Sequence, residues 1–433
     1  MKMKKLFSMM MVAVLAFSLS ACGQSSDNES ASDNKESGSE NVAEAKVELN
    51  LWEQMEPANQ EYMDELIADY MKMKPNVKVV RTHYETEELR TNFQTAALAG
   101  EGPDLVYGPD DNVGIFLVSQ LIQPVTNIMS EDFLAGFDQN AMDAGKMDGK
   151  YYEIPMTNGN QIAMLYNKAL VKEVPEKWED FVALAAEHQN NTNKELEKNT
   201  YGFLYNSKEP FWFVGIFNGY GGSVMDNELK PTLNTEAMIK ALQFVVDVRD
   251  KYKLGEEGMD YDMPDTMFKQ GKSAYILNGA WSWSAYKDAG IDLGIAPAPK
   301  LPDGGNHMTF YSSTKGFVIP EYVKDEKAVA LKEFMEYVMS AENNGKYALI
   351  ASEAPAVMAA RELDEVKNDE LQKASIATIE YTTPMPTVPQ MRAIWDAMRP
   401  ELEAVINGLA TPEEAAANMQ KSAEEGIATI LNE

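Results

Sequence analysis

The stretch LNGAWSWS, Leu277 to Ser284, sets two tryptophans two residues apart behind a Gly279–Ala280 pair. In a strand the two rings would point to opposite faces. Where a helix begins, one ring stands at its mouth and the other packs beneath. Two further segments place aromatics beside charge. YGFLYNSKEPFWFVGIFNGYGG, Tyr201 to Gly222, holds Glu209 among rings, and MPTVPQMRAIWDAMR, Met385 to Arg399, carries Trp395 with Arg399 one helical turn further on the same face. Flat rings next to planar charged groups suit a pyranose. Its C–H face stacks on an aromatic ring, and its hydroxyl rim donates to carboxylates and accepts from guanidinium groups in paired hydrogen bonds. Each cluster alone could be core filling. Three of them, each beside Gly or Pro loops and a charged group, favour a pocket.

Other chemistries lack their residues. The only histidines are His83, His188 and His307, far apart and without a cysteine or HExxH partner, so neither a metal nor a cofactor is expected. No GxSxG, GxxxxGK[ST] or GxGxxG unit appears. A glycosidase would need two carboxylates across the scissile bond. Glu209 is one candidate, and no second acid has a matching loop context, so catalysis is not expected. With 38 Lys and Arg against 68 Asp and Glu, the formal charge is −30. Such a chain does not track along nucleic-acid phosphates, and anionic lipid repels it.

The first 22 residues read as a leader: Lys2, Lys4 and Lys5, then an apolar run from Leu6 to Leu19 too short for a comfortable membrane span, ending in LSAC. Cys22 is the only cysteine, which excludes an intrachain disulfide and points to lipid acylation of that thiol. Residues 23–46, rich in Ser, Asn, Asp and Glu, read as a disordered tether. The membrane is then engaged through the lipid alone, on the outer face of the cell.

The body from Val47 is too long for one typical core, so two domains are expected. VELNLW alternates at strand period; Tyr62, Leu66, Ile67, Tyr70 and Met71 recur at helix spacing before Pro75; NVKVV and GPDLVYG follow as strands around a second helical run. This β-α-β-α-β alternation predicts an α/β fold with open, mostly parallel sheets flanked by helices. The pattern returns later, with a helix through Met238 to Val246, a stretch from Phe268 to Leu277 that leads through Gly271 into a strand, strands at Ile291–Pro299 and Thr314–Pro320, and a helical tail broken at Gly408 to Pro412.

At this point the chain resembles the extracellular solute-binding proteins of bacterial ABC importers, most closely the maltose/maltodextrin-binding proteins. The matching stretches are GPDLVYGPDD, GKYYEIP, LYNKALV, PEKWEDF, EPFW, FKQGKSAYILNGAWSW and MPTVPQMRAIWDAMR, in family order from about residue 47 to 415. The resemblance implies a two-lobe fold with the ligand in the cleft between lobes: residues 47–157 and 317–365 in the first, 158–316 and 366–433 in the second, with crossovers near Met156–Asn160, Tyr311–Gly316 and Val366–Glu370. It implies a monomeric receptor for malto-oligosaccharides that delivers them to a permease. Its second-lobe sugar contacts fall on Glu209, Phe211 (where a Tyr is usual), Tyr261, Trp281 and Arg399, with Met385 and Trp395. The first lobe departs from the family pattern. Gly108 replaces an aromatic; Asp111 is retained but its basic neighbour is Asn112; Asn160 replaces an acid; Gln54 and Glu56 stand for an Asn and an Asp, and Pro57 for a Lys. Asp110, Asp111, Asn112 and Arg90 are the first-lobe groups to watch. A different cargo on the same fold, such as another oligosaccharide, a polyamine or a peptide, is the alternative.

Overall fold

The computed structural model describes residues 47–193, 195 and 198–432; the leader, Cys22 and the polar stretch to Lys46 lie outside the described residues. In chain order the strands are β1 (Val47–Glu53), β2 (Val77–His83), β3 (Leu105–Pro109), β4 (Ile122–Gln123), β5 (Lys146–Met147), β6 (Lys150–Tyr151), β7 (Glu153–Gly159), β8 (Ile162–Asn167), β9 (Tyr201–Tyr205), β10 (Ser273–Gly279), β11 (Leu293–Ala296), β12 (Tyr311–Pro320), β13 (Ala354–Pro355) and β14 (Thr383–Pro384). The first lobe is built on the order β13-β7-β12-β3-β1-β2, with β4 and β14 also on β12; the second is built on β11-β8-β10-β9. A short hairpin joins β5 and β6.

Local sequence explains the elements. In β1, Leu49, Leu51 and Glu53 turn inward while Glu48, Asn50 and Trp52 face outward or half outward. Helix Pro57–Met73 opens on a proline whose missing N–H costs nothing there, and buries Tyr62, Met63, Leu66, Ile67 and Tyr70 along one stripe. Helix Glu236–Asp250 is capped by the Thr235 hydroxyl, which accepts from the Met238 N–H at 3.2 Å.

The two-lobe α/β class holds, but the sheets are mixed where mostly parallel ones are expected. Parallel pairing joins β1 to β2 and β3, and β10 to β9. The strands that carry the chain between lobes break the pattern: β12 lies antiparallel between β3 and β7, and β8 antiparallel to β10 and β11. β8 is reached from the first-lobe strand β7 and β12 from the second lobe, without the βαβ crossover that makes neighbouring strands parallel.

Two apolar cores follow. One draws on Leu49–Met156 and Phe317–Ala360, with a satellite around Leu89, Phe93, Phe116 and Val318. The other draws on Ile162–Tyr311 and Leu371–Ala423 and centres on Trp178, stacked on Phe181 at 5.1 Å and edge-on to Phe244 at 4.7 Å. Large buried rings of this kind typically hold about 3–5 kcal/mol each against truncation. Between the cores, Asn160 donates to the Ser313 hydroxyl at 2.8 Å, and the wholly buried Gln161 amide donates to Ser375 and Thr378 at 3.0–3.1 Å. The Gln372 amide reaches the Ala348 and Glu353 carbonyls at 2.8 and 2.9 Å. The crossing segments are thus bonded to one another.

Candidate functional site: an interlobe cleft

The carboxyl ends of the parallel strands converge on one cavity. Gln54 and Glu56 follow β1, Glu85 to Glu87 follow β2, Pro109 ends β3 and Asp111 opens the helix after it, Asn206 and Glu209 follow β9, and Trp281 follows β10. Ligands of open α/β sheets bind at such strand ends. The cavity has a volume of about 500 Å³, in the range of small-molecule sites, and Asn160 from the β7–β8 link and Lys315 from β12 also line it.

One wall is aromatic. Chain turns at Gly279 out of β10 into a short 3-10 turn, and Trp283 then begins helix Trp283–Asp288. Trp283 is fully buried, whereas Trp281 is half-buried and lines the cleft. A Cβ at Gly279 would overlap the Trp281 ring, so the indole lies where only glycine leaves room. Trp281 Nε1 donates to the Tyr261 hydroxyl at 3.1 Å, and the Trp212 ring stands edge-on to Trp281 at 5.8 Å. Phe211 is tilted against Trp281 at 6.3 Å, and Trp212 is fixed by its own N–H on the Leu277 carbonyl at 2.9 Å.

The other wall is polar. Glu209, just before helix Pro210–Gly219, forms a close ion pair with Arg399. Glu87 faces Arg90 at 2.5 Å, Arg392 at 3.0 Å and Arg399 at 3.8 Å. Asp111 accepts from Trp395 Nε1 at 3.1 Å; desolvation pushes its carboxyl above the usual aspartate range, opposed by that hydrogen bond. Desolvation also raises the Glu56 carboxyl, opposed by the nearby Lys315 ammonium.

Of the residues named from sequence, Gln54, Glu56, Asp111, Asn160, Glu209, Phe211, Tyr261, Trp281, Met385, Trp395 and Arg399 line this cavity. Three do not. Asp110 is buried in the first lobe, where its Oδ2 accepts from the Thr314 N–H and hydroxyl at 2.9 and 3.1 Å. Asn112 is buried, with its amide beneath Gly108, and lines a small separate cavity with Leu89 and Phe116. Arg90 reaches the site only through Glu87. Residues 110 to 112 open a helix, where successive side chains point about 100° apart, so one of the three can face the cleft. Sequence reasoning missed Glu85, Thr86, Glu87, Pro109, Asn206, Trp212, Asp262 and Lys315. For Glu85, Thr86, Glu87 and Asn206 the available signal is position just after a strand; Pro109 and Lys315 lie within strands, and Trp212 and Asp262 in helices.

Comparison with known proteins adds the family. The model for "Bacterial extracellular solute-binding protein" matches residues 65–374. The chain belongs to that family. This solute-binding protein is close to the maltose-binding proteins. It is similar to a galactooligosaccharide-binding protein of Bacillus subtilis, 26% identical over 438 residues covering 96% of each chain. It is also similar to a maltooligosaccharide ABC transporter solute-binding lipoprotein of Streptococcus pneumoniae, 27% identical over 92% of this chain and 91% of that one. Among solved structures, the maltose/maltodextrin-binding domain of Bdellovibrio bacteriovorus bound to maltotriose superposes with a TM-score of 0.84 at 33% identity, covering 88% of this chain and 100% of that chain.

Proposed function

We propose that this solute-binding protein is the receptor of an ABC importer, taking malto-oligosaccharides into the interlobe cleft and delivering them to a permease. The observation that carries the reading is the pairing of the Phe211, Trp212, Tyr261 and Trp281 wall with the ionic groups Glu209, Arg399 and Asp111 across one cavity. Rings stack on the C–H faces of the glucan, and the charged groups hold its hydroxyls. Carboxylates outnumber cations in the lining, with Glu56, Glu85, Glu87, Asp111, Glu209 and Asp262 against Lys315 and Arg399, which disfavours acidic glycans. Relatives named for maltooligosaccharides and a neighbour solved with maltotriose support the cargo class. The protein acts as a monomer, held to the outer face of the membrane by an acylated Cys22, and performs no catalysis. Binding closes the lobes over the sugar.

A second reading, a galacto-oligosaccharide cargo, is favoured by the relative named for it, which matches over nearly the whole chain, and by Gly108 near the end of β3, where the maltodextrin-binding pattern has an aromatic. A thermal-shift panel of maltotriose, maltotetraose, galactotriose and simple amines decides among cargoes. Ligand at about a hundred times its Kd stabilises by about 2.7 kcal/mol. Release of new reducing ends from maltodextrin would overturn the non-catalytic reading.

A further inference from the structure

Tyr261 and Trp281 meet in the cleft, yet they come from different elements. Tyr261 precedes helix Asp262–Lys269, and Trp281 follows β10. Their contact, the 3.1 Å hydrogen bond from Trp281 Nε1 to the Tyr261 oxygen, holds only while helix and strand keep one alignment. That alignment is set from beneath the wall. Tyr286, on helix Trp283–Asp288, is wholly buried, and its hydroxyl lies between the two elements. It donates to Asp265 Oδ1 at 3.0 Å and accepts from Asn278 Nδ2 at 2.5 Å. Asp265 stands four residues after Tyr261, about one helical turn further on, and its other oxygen takes the Lys269 ammonium at 2.8 Å. Asn278 stands three residues before Trp281 near the end of β10, and its Oδ1 accepts from the Gly279 N–H at 2.9 Å.

Space filling does not account for this hydroxyl. The Tyr286 ring packs edge-on to Phe268 at 4.8 Å, which a phenylalanine would do equally well. Its one hydrogen goes to a carboxylate, and its lone pairs take an amide hydrogen. Each partner also holds a second bond within its own element, Asp265 to Lys269 and Asn278 to Gly279, so each is fixed to the helix or strand it represents. Asp265 and Asn278 are buried as well, and a buried bond of this kind is costly to leave unmade. Burial pushes the Tyr286 phenol well above its ordinary range, and the Asp265 carboxylate adds to the rise, so the donor keeps its proton.

We propose that Tyr286 is a positioning residue for the sugar site: its hydroxyl ties Asp265 to Asn278, and so holds the helix behind Tyr261 in register with the strand that ends in Trp281. This rests on the reading above that the cleft takes the cargo. The test is maltotriose calorimetry on the full chain, with denaturant melts alongside. Tyr286→Phe removes one oxygen, keeps the ring and lowers affinity per folded molecule about tenfold. In Tyr261→Phe protein the same change costs less than about twofold, because the contact it aligns is already gone, whereas independent sites would add. A Tyr286 that served the core alone would lower stability and leave affinity per folded molecule unchanged, and that result overturns the inference. So does a tenfold loss that persists in Tyr261→Phe protein. Asp265 carries the test should Tyr286→Phe not fold. Asp265→Asn keeps an oxygen for the Tyr286 hydroxyl and holds affinity within about threefold of wild type, whereas Asp265→Ala removes it and loses about tenfold. Equal affinity in these two variants overturns the inference. If wild-type protein binds another cargo and no maltotriose, the oligosaccharide reading falls, and the same variants titrated with that cargo support or overturn the positioning role by the same differences.

Discussion

Trp395 Nε1, on second-lobe helix Gln390–Ile406, donates a 3.1 Å hydrogen bond to Asp111 Oδ2 at the start of a first-lobe helix. Arg392 from the same helix reaches Glu87 in the first lobe at 3.0 Å. Both contacts span the cleft, so the groups that line it also hold its walls together. Asp111→Ala should leave the Trp395 N–H unpartnered and weaken the closed form. Loss of a bond to a charged group typically costs about 1.5–3 kcal/mol. Small-angle scattering at saturating sugar should show a larger radius of gyration than wild type, with weaker binding by calorimetry. An unchanged radius and affinity would remove Asp111 from this role.

Trp281→Ala and Trp283→Ala should separate binding from stability. Trp281 faces the cleft, and loss of a central aromatic anchor costs about 2 kcal/mol or more of binding, roughly thirtyfold in affinity. Trp283 is fully buried, so its truncation should cost about 3–5 kcal/mol of folding stability with little effect on affinity per folded molecule. Calorimetry and denaturant melts on the pair decide the matter. A folded Trp281→Ala protein with wild-type affinity would return that ring to a packing role.

Gly279→Ala tests the same wall from beneath. The new methyl group overlaps the indole of Trp281, while the backbone there has ordinary extended angles that alanine adopts without strain. The ring must move. Affinity should fall several-fold while the fold survives, and Trp281 fluorescence should change in the sugar-free protein. Full affinity in this variant would show that the ring position is not critical.

Asp110 and Glu153 are buried together in the first lobe, and burial pushes both carboxyls well above the usual range, each raised further by a neighbouring acid. Raised acids of this kind bind protons more tightly in the folded state than in the unfolded one. Their contribution to stability is present at pH below the ordinary carboxylate range and is lost as pH rises towards the folded-state values. Glu153→Gln should therefore gain stability relative to wild type as pH rises from about 4 to 8, within ordinary carboxylate titration limits. Denaturant melts across that range check it; parallel stability curves for the two proteins would rule it out.

Much of this was legible because the fold repeats simple patterns. The strands VELNLW, NVKVV and GPDLVYG carry their own period and turn residues, and the aromatic clusters follow strand ends directly. What escaped is set by tertiary geometry. Nothing in the sequence singles out Glu87, near a helix start, until the second lobe brings Arg392 and Arg399 to it. Lys315 looks like an ordinary strand residue in STKGF, and its aim comes from a register shift against a strand far away in sequence. The antiparallel partners of β7 and β12 were hidden for the same reason: periodicity reports that a strand exists, not which neighbour it finds.

The order β13-β7-β12-β3-β1-β2 also sets a timetable. β12 fills the middle of the first-lobe sheet, yet the chain reaches it only after the whole second-lobe sheet has been made. Until Tyr311–Pro320 emerges during synthesis, β3 and β7 each present an unpaired edge and the first lobe has no centre. Pairing across so long a separation closes late and slowly. The nascent chain therefore spends most of its elongation with one lobe unable to complete, and protection of those open edges from other chains falls to whatever accompanies it until β12 arrives.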